Sequence, residues 1–305
     1  MRAIHPMQRH FAFLRVSAQS VKVSQGPFVG LPSVTGLTGL ARAFAIGLAK
    51  AKGLGPGELQ PDGIALGVEN YEIHAGYVKS MKEGTATPEA VPAIWASFTA
   101  SFVIRLRGAT PRGIELLTTQ KLSGDAASVL TELRLCKGRL IVQRAAANLA
   151  APRLVERYPT ELARAMALLP SRALVLRDES TLVEAARAAG LPLMDALLAA
   201  TLRHEQRPRP YRDFFEEHGF ERRRIYPVTS GYLALEPEPS QRSARPFSDG
   251  RLGRSKVASP MYTLAALQTA ASIRAGVDAV QAEQGYRVLW KERPVNGSYV
   301  CTAVA

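Results

Sequence analysis

Three side chains that can transfer protons or stabilise phosphate charge lie close together in the sequence. They are Tyr71, His74 and Lys79. In a metal-independent ribonuclease, a histidine or tyrosine takes the proton of a 2′-hydroxyl, and a lysine stabilises the charge that develops on phosphorus. The same residue types also occur in a solvated or RNA-contacting arm, where Lys82 would join them. Short-range clusters of these residues are common, so the pattern favours contact over catalysis.

Patterns typical of other catalytic sites are absent from the sequence. The five histidines show no metal-ligand spacing, and the acidic residues form no pair at a spacing typical of a catalytic site. The segment Gly53–Gly57 lacks the Gly-Lys-Ser/Thr ending of a phosphate loop, and Pro56 makes it a helix stop. We therefore expect no catalytic constellation, no metal and no cofactor.

A loop that leads into a helix, Gly30–Phe44, has the composition of an anion-binding site. Its hydroxyls can cap the helix, its glycines admit a close backbone, and the positive end of the helix dipole suits phosphate. The candidate RNA contacts in this loop and helix are Ser33, Thr35, Gly36, Thr38, Gly39 and Arg42.

A glycine-interrupted basic strand forms the second candidate surface. Its contact residues are Arg134, Lys137, Gly138, Arg139 and Arg144. One interpretation is a clamp on a phosphate backbone, with the glycine admitting a phosphate. The other is a solvated strand edge protected by charge. The charge of the whole chain favours the clamp. Tyr71, Tyr77 and Tyr232 are candidates for stacking on unpaired bases.

The charge balance predicts a polyanionic partner. The 305 residues include 39 Lys and Arg against 26 Asp and Glu, which gives a formal net charge of +13. Residues 1–57 contain seven basic residues and no acidic one. Nucleic acid is favoured over an anionic membrane or an acidic protein.

We expect a cytoplasmic protein. The first residues lack the apolar run and the cleavage site of a signal peptide, and no apolar run is long enough to span a membrane. Cys136 and Cys301 are too few for a disulfide framework, which is typical of a reducing compartment.

Hydrophobic periodicity predicts an α+β protein. The order strand, helix, strand, strand, helix, strand predicts a ferredoxin-like core, with a helical insertion. We expect strands over 11–18, 63–68, 95–107 and 172–177, a helix that ends near Lys52, another helix over 261–283, and a final hairpin over 286–304.

The predicted organisation has three parts. Residues 1–145 form the core, with a thumb-like arm near 70–92. Residues 146–225 form a mainly helical insertion, and residues 226–305 complete the core with strands and a helix.

Several motifs in the same order resemble one protein family. Gly30–Phe44 is similar to the signature of the Csy-two subunit, the Cas-five-type protein of type I-F CRISPR surveillance complexes, although Val34, Gly36 and Arg42 differ from it. Three later stretches also resemble the family, as does Leu289-Trp290: Leu133-Arg-Leu-x-x-Gly138, Leu168-Leu-Pro-x-x-Ala-Leu-Val175 and Pro227-Val-Thr-Ser-Gly-Tyr-Leu-Ala-Leu235.

The resemblance implies a member of the repeat-associated RNA-binding (RAMP) superfamily with a modified ferredoxin-like, RRM-like fold. Such a subunit binds the 5′ handle of the CRISPR RNA without catalysis. Its implied partners are a backbone subunit, a large subunit and, through the assembled complex, target DNA. The departures within the signature indicate a variant subtype.

Two alternatives stay open at this point. One is a CRISPR RNA-processing endoribonuclease of the same superfamily, which would need Tyr71, His74 or Lys79 for catalysis. The other is a scaffold subunit that mainly contacts protein.

Overall fold

Antiparallel strand pairing dominates the architecture. The structure is a computed structural model that describes residues 10–25, 28–55, 57–81, 88–119, 123–146, 161–220, 225–235, 240–241, 254–255, 258–277, 287–295 and 298–304. The strands in these ranges are β1 (His10–Lys22), β2 (Ser24–Gln25), β3 (Phe28–Val29), β4 (Leu59–Met81), β5 (Pro88–Gly108), β6 (Arg134–Leu135), β7 (Gly138–Ala146), β8 (Leu174–Asp178), β9 (Ile225–Ala234), β10 (Ser240–Gln241), β11 (Arg254–Ser255), β12 (Ala258–Thr269), β13 (Leu289–Val295) and β14 (Ser298–Val304).

Eight α-helices lie in the same ranges, together with a short 3-10 helix at His204–Gln206. They are α1 (Val34–Ala51), α2 (Pro111–Thr119), α3 (Ser123–Glu132), α4 (Glu161–Leu168), α5 (Ser180–Ala188), α6 (Leu193–Thr201), α7 (Arg209–Glu217) and α8 (Ala270–Val277). The mixed α and β composition expected from the sequence is confirmed. None of these helices is both long and apolar enough to cross a membrane.

Ten strands form one sheet in the order β13-β14-β9-β12-β8-β4-β5-β1-β7-β6. β13 also pairs with β4, so the strands from β13 to β4 close into a ring. Strand β8, from the segment predicted to be mainly helical, lies inside this sheet between β12 and β4. The other described elements of that segment are α4 to α7 and the short 3-10 helix.

The predicted arm near 70–92 coincides with the outer part of a long hairpin. β4 and β5 pair from Leu59 with Gly108 out to Met81 with Pro88, interrupted by two register shifts. At about 3.3 Å per residue, such strands extend about 70 Å. Lys82 lies outside the described residues.

Apolar side chains cover both faces of the sheet. One core joins α1 and α3 to β1, β4 and β5, and its largest members include Phe44, Phe102 and Trp290. A second core lies on the opposite face, where α4 and α8 cover Phe11 and Phe13 of β1. A third core joins α5, α6 and α7 to β9 and β12.

The prediction of a helix over 261–283 is wrong for its first nine residues, which belong to β12. Residues 263–266 of this strand are all buried, because β12 lies between β8 and β9 with both faces covered. A strand buried on both faces is a continuous apolar run, which periodicity cannot distinguish from a buried helix. Helix α8 begins only at Ala270.

We expect Trp290→Phe to lower the free energy of unfolding by about 1–3 kcal/mol, because it leaves a buried carbonyl unpaired. The Trp290 indole is fully buried, and its Nε1 donates to the Leu176 carbonyl at 3.1 Å. Urea denaturation measures the change. Trp95→Phe at the half-buried second tryptophan is the control, and equal losses for both variants would contradict the assignment.

Candidate nucleic-acid interface

Helix α1 begins with a side-chain cap. Ser33 is the N-cap residue, and its Oγ accepts a hydrogen bond from the Gly36 N–H at 3.1 Å. The Thr35 hydroxyl donates to the same Ser33 oxygen at 3.2 Å. The first turn contains no acidic residue, so the positive end of the helix dipole is not neutralised locally.

The turn between β6 and β7 packs against this helix start at Gly36. A Cβ added to Gly36 would overlap Cys136 Sγ, so only glycine admits the thiol at this distance. Cys136 Sγ also lies 3.6 Å from Ser33 Oγ. Burial raises the pKa of the Cys136 thiol, so the thiol is uncharged at neutral pH.

The turn itself has a backbone conformation that residues other than glycine rarely adopt. Cys136 has φ 45° and Lys137 has φ 71°, and the flanking Leu135 and Gly138 pair across the hairpin. Two consecutive positive φ values define a type I′ hairpin turn, in which Asn and Gly are usual. The Lys22 N–H donates to the Cys136 carbonyl at 3.1 Å, which anchors the turn to the end of β1.

These segments enclose a groove of about 600 Å³, which we call the first groove. Its lining residues come from six parts of the chain: Lys22, Ser24, Gln25, Ser33, Thr35, Gly36, Cys136, Lys137, Thr229, Tyr232, Pro260, Tyr262 and Tyr299. They include two lysines, three tyrosines and no carboxylate. Lysines can bind phosphate and tyrosine rings can stack on bases, so this groove has the chemistry of a site for single-stranded nucleic acid.

Three predicted contacts in α1 are not among the residues that line the first groove. Thr38 is only 2% exposed; its hydroxyl donates to the Thr35 carbonyl at 3.2 Å and lies 2.8 Å from the Tyr299 hydroxyl. Arg42 is directed towards β13, where its guanidinium lies 3.5 Å from the Glu292 carboxylate. Gly39 is exposed, and a Cβ added there would meet no atom within 4 Å.

The predicted basic strand is β7 with its neighbour β6. Arg134 and Arg139 are direct cross-strand partners, while Leu135 and Leu140 beside them point into the core. Neither arginine has a carboxylate partner within the described residues. Like charges opposite each other destabilise a strand pair, and an anion bound between them removes that cost.

The same face of β7 carries a second cross-strand arginine pair. Arg144 is opposite Arg15 of β1, and its guanidinium lies 6.0 Å from the centre of the Phe13 ring. Arg15 in turn binds Glu69 at 2.9 Å. Gly138 is required by packing, since a Cβ there would lie 2.7 Å from Val21 Cα.

Tyr71 and His74 point to opposite faces of β4. The Tyr71 ring stacks on Phe98 in the core, and its hydroxyl donates to the Gly30 carbonyl. Burial raises the Tyr71 pKa, so this hydroxyl stays protonated and holds the loop before α1. His74 pairs with Trp95 on the exposed face. Nothing is described of the Tyr77 and Lys79 side chains.

Sequence reasoning missed several residues that shape the first groove. Gln25 is buried; its Nε2 donates to the Leu31 carbonyl, and its Oε1 accepts from the Thr229 N–H at 2.6 Å. Lys22, Tyr262 and Tyr299 were also missed. The signal available for Gln25 was an amide at the end of a strand, which can both donate and accept hydrogen bonds. The positions of the tyrosines, in contrast, depend on strand pairing across the sheet.

A scan against protein-family models finds no family that matches the chain, and a search of curated proteins finds no match. Within the described residues, no group of three or more His, Cys, Asp or Glu side chains is placed to bind a metal ion.

We expect opposite effects from alanine at the two glycines of α1. Gly39→Ala raises the free energy of unfolding by up to about 1 kcal/mol, because its site is exposed and open. Gly36→Ala lowers it by about 1–3 kcal/mol, because the methyl group overlaps the Cys136 thiol. Thermal and urea denaturation measure both. Adding Cys136→Ala should recover most of the Gly36→Ala loss, and a purely additive double variant would contradict the contact.

Proposed function

We propose that this protein is an RNA-binding subunit of a CRISPR effector complex. It holds the 5′ handle of the CRISPR RNA in the first groove and acts by binding rather than by catalysis. The observation that carries the proposal is that distant stretches of the chain meet in one groove. Three of the stretches that resemble the Cas-five-type family, around Ser33, Cys136 and Tyr232, are remote in sequence and line one groove.

The order of the first strands supports the family's fold. The chain runs β1, α1, β4, β5, α3, β7, and these strands lie in the sheet in the order β4-β5-β1-β7. Their pairs are all antiparallel. A four-stranded sheet of this order with both helices on one face is the arrangement proposed here as a ferredoxin-like, RRM-like core.

The charge distribution supports a path for the RNA backbone. Lys22 and Lys137 line the first groove, and Arg134 and Arg139 flank the turn that carries Lys137. Arg139 and Arg144 lie on the same face of β7 because a register shift separates them, and their partners on β1, Gln19 and Arg15, are four residues or about 13 Å apart. Phosphates along this path would relieve the repulsion between Arg134 and Arg139.

Bases are proposed to be held by the tyrosines rather than read from a duplex. The Tyr232 side chain is exposed, while Tyr262 and Tyr299 are half-buried beside it. Single-stranded RNA exposes base faces that stack on such rings. Contacts with a backbone subunit, a large subunit and target DNA belong to the same proposal, as does the division into core, arm and insertion.

Fluorescence anisotropy with a single-stranded RNA that carries the repeat-derived handle tests this function. We expect tighter binding of the handle than of oligo-uridine RNA or of a DNA duplex of the same sequence. Equal affinity for all three would contradict a handle-binding subunit. Site-specific cleavage of repeat RNA without metal, lost in His74→Ala, would instead establish the ribonuclease.

Removal of two cations should weaken binding and its dependence on salt. In Lys137→Ala/Arg139→Ala, we expect lower affinity for handle RNA and a shallower slope of log K against log salt, by about 0.7 for each phosphate that the protein no longer neutralises. Anisotropy titrations at several salt concentrations measure this slope. Arg172→Ala/Arg187→Ala, at two exposed arginines elsewhere, is the matched control. An unchanged slope in the first variant would exclude these phosphate contacts.

Lys137→Gly should separate stability from binding. Glycine adopts φ 71° without the steric cost that lysine carries, so we expect the free energy of unfolding to rise by about 0.5–1 kcal/mol. Affinity for handle RNA should fall, because the ammonium group is lost from the groove. Denaturation and anisotropy on the same sample measure the two effects. A gain in both quantities would show that Lys137 serves only the turn.

A further inference from the structure

A second groove, of about 930 Å³, opens where β4 and β13 diverge. The two strands pair at one position only, Ile64 with Trp290. Beyond it, residues 60–62 lie on one wall and residues 291–293 on the other, and α1 contributes the remaining wall. This second groove is therefore a gap in the ring of strands.

Both strand walls present edges with which no described strand pairs. Among the described strands, residues 59–63 of β4 pair only with β5, and residues 291–295 of β13 pair only with β14. Pro61 and Pro294 lack an N–H, so neither residue can donate a backbone hydrogen bond across the gap. One carbonyl is used, since Asp62 O accepts from Arg105 Nη2 at 3.1 Å. An open edge of this kind binds an extended peptide as an added strand.

The second groove keeps a positive charge after its ion pairs are considered. Asp62 lies 3.2 Å from the buried Arg105 guanidinium, and Glu292 lies 3.5 Å from Arg42. Among the residues that line the second groove, lysine and arginine side chains outnumber these carboxylates. The remaining lining cations are Arg107, which donates to the neutral Gln60 amide, Lys291, which is 4.0 Å from Asp62, and Arg293.

Three of the lining cations lie on the side of the gap opposite to α1, whereas Arg42 lies on α1 and pairs with Glu292. Leu106 and Trp290 point into the core beneath α1, so their neighbours Arg107 and Lys291 point to the opposite face. On the α1 side, the groove contains Ile46, which is 46% exposed. A strand placed in the gap would therefore meet apolar and basic surfaces with its alternate side chains.

We propose that the second groove binds an acidic, extended segment of a partner protein. The segment adds a strand between β4 and β13, with apolar side chains towards Ile46 and carboxylates towards Arg107, Lys291 and Arg293. Strand edges that no described strand pairs with, together with the exposed Ile46 side chain, favour a polypeptide over a nucleic acid. This inference does not depend on RNA binding at the first groove.

A labelled peptide of alternating valine and glutamate tests the inference on the full chain. We expect saturable binding by fluorescence anisotropy and protection of backbone amides in residues 59–63 and 291–295 by hydrogen exchange. Lys291→Glu/Arg293→Glu should weaken binding about tenfold or more. Arg172→Glu/Arg187→Glu makes the same charge change on exposed side chains elsewhere and should leave the affinity unchanged.

Three results would overturn the inference. They are no saturable binding of the alternating peptide, equal binding of a peptide with the same residues in two blocks, and protection of the same amides by oligo-uridine RNA. Lys137→Ala/Arg139→Ala should bind the peptide with unchanged affinity. This variant therefore separates a failure at the second groove from a failure of the proposed RNA site.

Discussion

The burial of α1 is the constraint on which both grooves depend. Leu37, Phe44 and Leu48 are fully buried on its inner face. Burial of each such side chain stabilises the fold by about 1.5–3 kcal/mol, so the helix cannot rotate without a large loss. Its first turn is thereby held against the turn between β6 and β7. Its next turns face β13, where the second groove opens.

A chain of polar contacts through the protein joins the two grooves. The Thr38 hydroxyl lies 2.8 Å from that of Tyr299, which donates to Glu292 at 2.8 Å. Glu292 also pairs with Arg42. Tyr299 lines the first groove and Arg42 the second, so the side chains that shape the two sites are positioned by one set of contacts.

The proposed RNA surface retains features that lower stability. Cys136 and Lys137 have left-handed backbone conformations, and Arg134 faces Arg139 across a strand pair. Each feature costs free energy in the isolated protein. Local costs of this kind concentrate at binding sites, because the surrounding structure can hold a geometry that the ligand then stabilises. In contrast, Asp62 and Arg105 away from this surface form a close ion pair.

Local signals in the sequence were sufficient to predict a hydroxyl cap at the start of α1, the strand β5 from its alternation, and the final hairpin. They also identified Ser33, Lys137 and Tyr232 as polar candidates, which the structure brings to one groove. Only the tertiary structure decided that β12 is a strand, that Arg42 faces Glu292, and that Gln25 and Tyr299 shape the groove. The physical reason is that strand register and the burial of both faces depend on partners far along the chain, whereas capping and periodicity depend on neighbours within a few residues.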